Sequence, residues 1–255
     1  MVIKLLEKIG KVVLNVLEVS GRTAIMVRSS FAVVHTVKAK PLLRQMAHLG
    51  ADSLPIVLLT MLFTGMVMTV QIAHEFIKYG AQSSVGGVIA IAMGRELAPV
   101  LTGVVVAGRV GAAIAAEIGS MKVTEQIDAL RVMAVSPIAY LVVPRLLACV
   151  MMMPVLVIFG NVIGTIGGYL MATQYAGITH FAFVHSIRVF CIPNDVMGGL
   201  IKAMFFGVII ALVGCHKGLT TENGAEGVGK ATTGSVVTAI ILIFVSNYFL
   251  SLLLY

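Results

Sequence analysis

The sequence predicts an all-α, polytopic integral membrane protein with about five transmembrane helices. Of its 255 residues, 59% are hydrophobic and only 11% are charged, and the mean hydropathy is +1.04. Soluble globular chains carry about 25% charged residues, so this composition argues against a water-soluble enzyme. Several uncharged stretches also reach the roughly 20 residues that a helix needs to cross a bilayer.

The first 50 residues are predicted to form a basic, amphipathic interfacial region that is distinct from the transmembrane domain of residues 51–255. They contain eight Lys or Arg and two acidic residues, Glu7 and Glu18, so their net charge is +6. The net charge of the rest of the chain is +1. Residues 2–17 place apolar side chains on one helical face and charged ones on the other. A helix lying on the membrane therefore fits better than a cover for a soluble core, because no soluble core follows. The charges also interrupt the apolar segment that a cleavable signal peptide requires.

Five spans are predicted in the transmembrane domain. They cover about residues 53–73, 86–119, 138–172, 196–215 and 231–255. Pro99 predicts a kink or break in the second span, with the crossing itself at about 100–119. Because no charged residue occurs from 146 to 187, one long third span followed by an irregular loop is predicted, and two short spans remain open.

The distribution of Lys and Arg predicts a cytoplasmic N-terminus. With five spans, thirteen of these residues lie on the inner side, and only Lys78 and Arg188 lie on the outer side. This asymmetry follows the positive-inside rule. The basic N-terminal region then faces an anionic membrane surface rather than a nucleic acid.

The polar block at 117–137 predicts a short amphipathic helix over 124–135, between the second and third spans. Apolar residues recur there at spacings of 4, 3 and 4 from Val123 to Ala134, and Thr124 is suited to cap the helix start. A helix lying on headgroups would favour Lys and Arg, whereas this one carries both signs of charge. The block is therefore interpreted as a docking element for a soluble partner.

Four charged residues within the second span, Arg95, Glu96, Arg109 and Glu117, are costly at membrane depth unless they are paired or face water. Arg95 and Glu96 are neighbours in sequence and point in different directions, so Glu96 is expected to pair with Arg109 or with another helix. A structural ion pair and a role in gating or substrate passage both remain open. Lys202, near the start of the fourth span, can snorkel or pair.

Small residues recur every four positions in two spans, which lets another helix approach closely. They are Gly103, Ala107, Gly111, Ala115 and Gly119 in the second span and Gly160, Gly164 and Gly168 in the third. Packing within the chain is the alternative to packing between chains, so neither stripe identifies a dimer.

No catalytic or metal-binding motif is evident. The segment GAEGVGK at 224–230 matches GxxxxGK, but Ala231 stands where a P-loop has Ser or Thr, and no strand pattern precedes it. It is interpreted as a flexible cytoplasmic loop. The chain has no HExxH or GxSxG, its histidines are scattered and its cysteines are far apart, so no metal and no bound cofactor are expected.

Two segments resemble the MlaE/YrbE-type permeases. Residues 94–148, GRELAPVLTGVVVAGRVGAAIAAEIGSMKVTEQIDALRVMAVSPIAYLVVPRLLA, resemble the family's signature region, and residues 202–233 resemble its second motif. The similarity extends from about residue 20 to the end. These permeases are the membrane subunits of ABC systems that move phospholipids and other lipids between the two membranes of diderm bacteria, with relatives in the plastid envelope.

The resemblance implies a homodimer whose cytoplasmic helix docks into a separate ATPase subunit, and that partner would bind ATP and magnesium. In this sequence the coupling helix would contain Glu125, Gln126, Asp128, Leu130 and Arg131. The resemblance also implies an MCE-domain partner at the outer face, in some systems a STAS-domain accessory protein, and residence in the bacterial inner membrane or, in a plant, the plastid inner envelope.

Family members often carry an Asp in the last span, roughly where Asn247 stands here. Asn keeps hydrogen bonding without the charge, so a mechanism that needs a buried acid there does not transfer.

The expected function is therefore that of the transmembrane subunit of an ATP-driven lipid transporter, with an apolar, outward-open cavity between two copies. Its candidate lining residues lie in the first and fifth spans: Leu62, Met66, Val70, Val237, Ile241, Phe244 and Tyr248. One alternative is an ion-coupled secondary carrier that uses Glu96 or Asp195, although the inverted repeats of such carriers are not found. Another is a non-transporting membrane scaffold for an MCE-type protein.

Overall fold

The computed structural model describes residues 21, 39–222 and 224–255, and every regular element among them is a helix. The helices are α1 (Ala39–Gly50), α2 (Leu54–Lys78), α3 (Gln82–Val123), α4 (Gln126–Val132), α5 (Ile138–Gln174), α6 (His180–Phe190), α7 (Pro193–Leu219) and α8 (Gly224–Leu254). In this part of the chain five helical segments, which contain α2, α3, α5, α7 and α8, are long and apolar enough to cross a membrane. The predicted fold class is thereby confirmed.

Only the last part of the predicted interfacial region can be compared with the structure. The amphipathic helix predicted at 2–17 lies outside the described residues. Helix α1 belongs to the same region, and it continues through a 3-10 turn at Ala51–Ser53 into α2. It packs on α5, where Gly50 contacts the side chain of Met152.

Helix α3 runs unbroken for 42 residues, so the break expected at Pro99 is wrong. A π-helical turn at Met93–Leu97 ends two residues before the proline, and a second one follows at Ala107–Gly111. In a π turn the amide donates to the carbonyl five residues earlier, as Ala98 does to Met93. Widening the helix in this way accommodates a residue that lacks an N–H without ending the helix.

The other long helices pack around α3 in the order α2, α5, α7 and α8. Helices α2 and α5 cross so closely that a Cβ on Gly65 would overlap the carbonyl oxygen of Gly164. Within the described residues, α2 and α8 stand at the two ends of this arc and make no extended contact. One face of α3 between them is therefore left uncovered.

Both small-residue stripes are buried within one copy of the chain. Gly103 faces Phe206 of α7 and Ile243 of α8, while Gly160 faces Met61 of α2. Without a Cβ, these residues let the neighbouring helices pack closely against them. The structure therefore uses both stripes for packing within the chain.

Two segments predicted as loops contain helix. Residues 138–174 form one helix, so the third span is single, but the loop expected after it contains α6. Thr179 caps this helix by accepting a hydrogen bond from the amide of Ala182 at 3.3 Å. In the Gly-rich segment at 216–231, also predicted as a loop, residues 216–219 form the last turn of α7 and residues 224–231 form the first turns of α8.

The short helix predicted over 124–135 spans only Gln126–Val132. Glu125 precedes it in the left-handed conformation, with φ of 60°, and ends the run of α3. Thr124 is not its cap: its hydroxyl donates to the carbonyl of Ser120 at 2.8 Å. A helix-to-helix turn therefore takes the place of the predicted cap.

Candidate functional site

The centre of the candidate site is an ion pair between α3 and α7. Lys202 is fully buried, and its ammonium donates to Oε1 of Glu96 at 2.7 Å, to Oγ of Ser251 at 2.8 Å and to the carbonyl of Arg95 at 3.0 Å. These three acceptors use all three of its N–H donors. The Glu96 side chain is 40% exposed, so the pair has one buried and one accessible member.

Pro99 explains why a backbone carbonyl is free to accept from Lys202. In an α-helix the carbonyl of Arg95 would accept from the amide four residues later, but residue 99 is proline and has no N–H. Lys202 donates to that carbonyl instead. Close contact between Gly199 and the carbonyl of Gly94 brings α7 near enough to α3 for this bond.

Helix α8 completes the site from the other side. Asn247 Nδ2 donates to Oε2 of Glu96 at 2.9 Å, and Ser251 Oγ donates to Oε1 of the same carboxylate at 2.9 Å. Both carboxylate oxygens of Glu96 therefore have donors. Because residue 247 is Asn rather than Asp, α8 adds no acid beside Glu96.

A second ion pair lies beside the first. Arg95 contacts Oδ1 of Asp195 at 2.7 Å, and Asp195 Oδ2 accepts from the amide of Ile192 at the start of α7. The ring of Tyr255 lies under the Arg95 guanidinium at 4.5 Å and under the Lys202 ammonium at 5.1 Å, which adds cation–π contacts. The cluster thus contains two acids and two cations in matched pairs.

The four charged residues predicted in the second span do not form one network. Of the two partners expected for Glu96, Arg109 or a residue of another helix, the structure shows the second, Lys202 of α7. Arg109 lies in the second π turn, where it donates to Ser53 Oγ at 2.7 Å and approaches Asp52 at 3.7 Å. Glu117 pairs with Arg145 of α5 at 2.7 Å. Arg95 and Glu96 thus both pair with α7, whereas Arg109 contacts the turn before α2 and Glu117 contacts α5.

Sequence reasoning missed the partners rather than the charges. Asp195 and Arg145 are both buried and paired, yet Arg145 was not predicted as a site residue and Asp195 was named only as a coupling acid of the alternative carrier. Their only signal in the sequence is a charge next to an apolar span, which indicates that a partner exists without saying which one.

The predicted coupling helix α4 is short and mostly exposed. Asp128 pairs with Lys122 at 3.0 Å and with Arg131 at 2.8 Å. The hydrogen bond and the charge of Lys122 are the main reasons why the pKa of Asp128 is held below its ordinary value. Ile127 alone is buried in α4, and it anchors the helix to the bundle.

The outward surface of α4 is both polar and apolar. Glu125, Gln126 and Arg131 are exposed, and Leu130 is half-buried. At the end of the helix Val132 is 88% exposed. Such a fully exposed aliphatic side chain beside charged ones can enter a pocket on a partner, although the structure itself contains a single chain.

The predicted cavity residues fall into two groups. In α8, Val237, Ile241, Phe244 and Tyr248 are all more than half exposed on one face. In α2, by contrast, Leu62, Met66 and Val70 are half-buried, and the first two of them contact Gly167 of α5. The exposed face of α2 instead contains Ile56, Leu59, Phe63 and Val67. A one-residue rotation about the helix axis separates the two faces.

The segment at 224–230 has no phosphate-binding geometry. It forms the first turns of α8, and Lys230 is 76% exposed and pairs with Glu226 four residues earlier. Among the described residues, no group of three or more His, Cys, Asp or Glu could hold a metal ion.

Comparison with known proteins gives a consistent result. A family model described as permease MlaE matches residues 42–253. A probable ABC transporter permease protein of Synechocystis sp. is 50% identical over 213 residues, which cover 84% of this chain and 81% of the relative. A probable ABC transporter permease protein of Rickettsia prowazekii is 40% identical over 256 residues, with 98% of both chains covered.

A plant relative is also similar. The Arabidopsis thaliana protein trigalactosyldiacylglycerol 1, chloroplastic, is 41% identical over 209 residues, which cover 82% of this chain and 60% of the relative. The five helices in residues 39–222 and 224–255 that are long and apolar enough to cross a membrane agree with these matches. The chain belongs to the MlaE permease family of multi-pass ABC transporter subunits, and as an ABC permease it works with an ATPase partner.

Proposed function

We propose that this chain is the transmembrane subunit of an ATP-driven lipid transporter, which moves phospholipid or a similar hydrophobic molecule between an inner and an outer membrane. The observation that carries the proposal is the uncovered face of α3 between α2 and α8, with the Glu96–Lys202 pair at its edge. An apolar face at membrane depth that ends at a polar cluster suits a molecule with apolar tails and a polar head.

A homodimer would enclose this face by packing on its part from Gly108 to Ala116, which leaves the part beside Glu96 for lipid. Only 11% of the most apolar stretch of α8 is buried within one copy, against 56% for α3 and for α7. On the uncovered side of α3, Gly108 has no atom within 4 Å of where a Cβ would be, and Ala112 and Ala116 continue the same side at four-residue spacing. A small-residue stripe left open in one copy is a surface on which a second copy packs closely.

The ATPase would dock on α4, with Glu125, Asp128 and Val132 at its surface. This helix is joined to α3 by the short turn at Glu125, so a push on α4 acts on the inner end of the helix that bears Glu96. Hydrolysis of ATP would take place in the partner. An MCE-domain protein at the outer face would receive or deliver lipid, and a STAS-domain protein would accompany the ATPase in some assemblies.

The substrate and location are proposed from the relatives and from the charge distribution. The Arabidopsis relative bears the name of a glycerolipid and is chloroplastic, which supports a lipid as the transported molecule. The excess of Lys and Arg on one side supports a cytoplasmic N-terminus. The protein would then reside in a bacterial inner membrane, or in the inner envelope if the source is a plant.

Reconstitution tests the function directly. The chain is co-purified with its ATPase, placed in vesicles with a fluorescent phospholipid, and supplied with ATP. Vanadate-sensitive movement of the lipid is expected. Lipid movement by the chain alone would favour a secondary carrier, and the absence of ATP-dependent movement in an assembly that hydrolyses ATP would contradict the proposal.

The dimer is tested by a substitution on the open stripe. Gly108→Leu is expected to convert the purified permease from dimer to monomer, because the larger side chain holds two α3 helices apart. Ile158→Trp on the exposed side of α5 is the matched control and should leave the dimer intact. A dimer that persists in Gly108→Leu, measured by mass in detergent, would move the interface elsewhere.

A further inference from the structure

A separate apolar groove lies between α3, α5 and α6. Its volume is about 410 Å³. Val162 and Ile166 of α5 form one wall, Val184 and Ile187 of α6 form the other, and Ala90 of α3 lies at the floor. None of these residues belongs to the Glu96–Lys202 site or to the face of α3 between α2 and α8.

Helix α6 is fixed against α3, so the groove cannot close simply by a shift of α6. Gly86 and Gly87 allow α6 to approach closely, because a side chain at either position would overlap the backbone of α6. Ser186 Oγ accepts from the amide of Gly87 at 2.9 Å and donates to the carbonyl of Phe183 at 2.8 Å. Ser186 and Phe183 are both buried.

The dimensions of the groove fit a lipid tail better than a helix. From Asn161 to Tyr169 the wall covers nine residues, or eight steps along the helix, which is about 12 Å at 1.5 Å per step. The volume of about 410 Å³ divided by that length gives a mean cross-section of about 34 Å². A helix with side chains is 10–12 Å wide and needs about 80 Å² or more. A single acyl chain can lie inside the groove, whereas a whole helix cannot enter it.

One end of the groove is polar. The hydroxyl of Tyr169 and Nδ1 of His180 are hydrogen-bonded at 3.1 Å, and their rings meet edge to face. Helix α6 also contains His185 and Arg188 but no acidic residue. This charge balance is complementary to a phosphate-bearing headgroup, and an aromatic residue with a polar tip suits the level of the headgroups.

We propose that the groove binds one acyl chain of a phospholipid in the outer leaflet, with the ester or phosphate oxygens at Tyr169 and His180. The placement in the outer leaflet rests on the orientation given under the proposed function. The lipid would be held on the side of the bundle beside α6, which makes this a second lipid site on the permease rather than part of the cavity between two copies.

The test uses a phosphatidylcholine with a photoreactive diazirine at the end of one acyl chain. The full complex with its ATPase is reconstituted with this lipid and irradiated, and the labelled peptides are identified by mass spectrometry. Labelling is expected on residues 161–166 and 184–187. Ile166→Trp, which fills the groove, should lower labelling of α6 by about tenfold, as for a loss of most of the binding.

A matched substitution separates the groove from ordinary lipid contact. Leu170→Trp lies on the same helix but does not line the groove, and Leu170 is 42% exposed, against 44% for Ile166. It should leave the labelling of α6 unchanged. Val184→Trp fills the groove from the other wall and should act like Ile166→Trp even if one of the two variants folds poorly.

The proposal is overturned if α6 remains unlabelled, if the label is equally reduced by Leu170→Trp, or if the label is insensitive to both groove-filling variants. Attachment of the lipid to a partner's helix instead of α5 and α6 would also overturn it. The labelling does not depend on transport. Lost labelling together with normal vanadate-sensitive lipid movement would reject the lipid site in the groove and leave the proposed function intact. Normal labelling without ATP-dependent movement rejects only the proposed function.

Discussion

The Glu96–Lys202 pair allows the sharpest prediction, through the substitution Glu96→Gln. The change removes the charge of the carboxylate and leaves a fully buried ammonium with three neutral acceptors. Breaking a buried pair by removing one partner costs about 3–5 kcal/mol. Because the Glu96 side chain is 40% exposed and water reaches it, we expect a loss of about 2 kcal/mol in the free energy of unfolding.

Thermal unfolding of the purified protein in detergent measures this loss. For a chain of this size, about 2 kcal/mol corresponds to a fall of about 4–8 °C in Tm. The control is the same substitution in a Lys202→Met background, where no buried ammonium remains. There Glu96→Gln is expected to change Tm by about 1 °C or less, since it then removes no ion pair.

Additivity would refute this reasoning. If Glu96→Gln lowers Tm equally in the wild-type and Lys202→Met backgrounds, Glu96 and Lys202 are not coupled. The 2.7 Å contact between them then contributes nothing to the free energy of unfolding. Transport by the double variant then separates the two roles left open for the pair. If the double variant transports lipid, the Glu96–Lys202 pair has a structural role. If the double variant is as stable as the wild type but does not transport lipid, the two charges act in gating or substrate passage.

Three further predictions follow from other contacts. Charge reversal at Glu125 and Asp128 is expected to release the ATPase in a pull-down while the permease folds normally, and recovery of the ATPase at the normal level would contradict docking on α4. Gly65→Ala should prevent recovery of folded protein, because its Cβ would overlap the carbonyl of Gly164. The control Gly229→Ala lies in open space on α8 and should leave the stability unchanged or raise it by about 0.5–1 kcal/mol. Equal yields and Tm values for the two variants would show that α2 and α5 do not cross as described. Lys230→Ala should leave ATP hydrolysis by the assembled complex unchanged, since this exposed lysine lies in a helix, and a loss of hydrolysis would mean that the segment at 224–230 contributes to a nucleotide site.

The fold class and the number of spans were predictable because they depend on single-residue properties. A bilayer requires long uncharged helices, and their number can be read from the spacing of charges along the chain. Helix ends were less predictable. The segments at 180–190 and 224–230 are helical in the structure, although their glycines, polar residues or position after a long span suggested loops.

The way in which α3 accommodates Pro99 could not be predicted from the sequence pattern. Proline removes one backbone donor, and the sequence indicates only that something must compensate. The compensation comes from a π turn in the same helix and from Lys202, more than one hundred residues away. A local rule cannot identify a partner that is supplied by another helix.

By itself, the sequence determined that this chain lies in a membrane, which residues are charged at membrane depth, and which family it resembles. The tertiary structure decided the partner of each charge: Lys202 for Glu96, Asp195 for Arg95 and Arg145 for Glu117. It also decided that the glycine stripes pack within one chain, and that α6 leaves a groove against α5. The physical reason is that the cost of a charge or the smallness of a glycine is a property of one residue, whereas pairing and packing depend on which helices are neighbours.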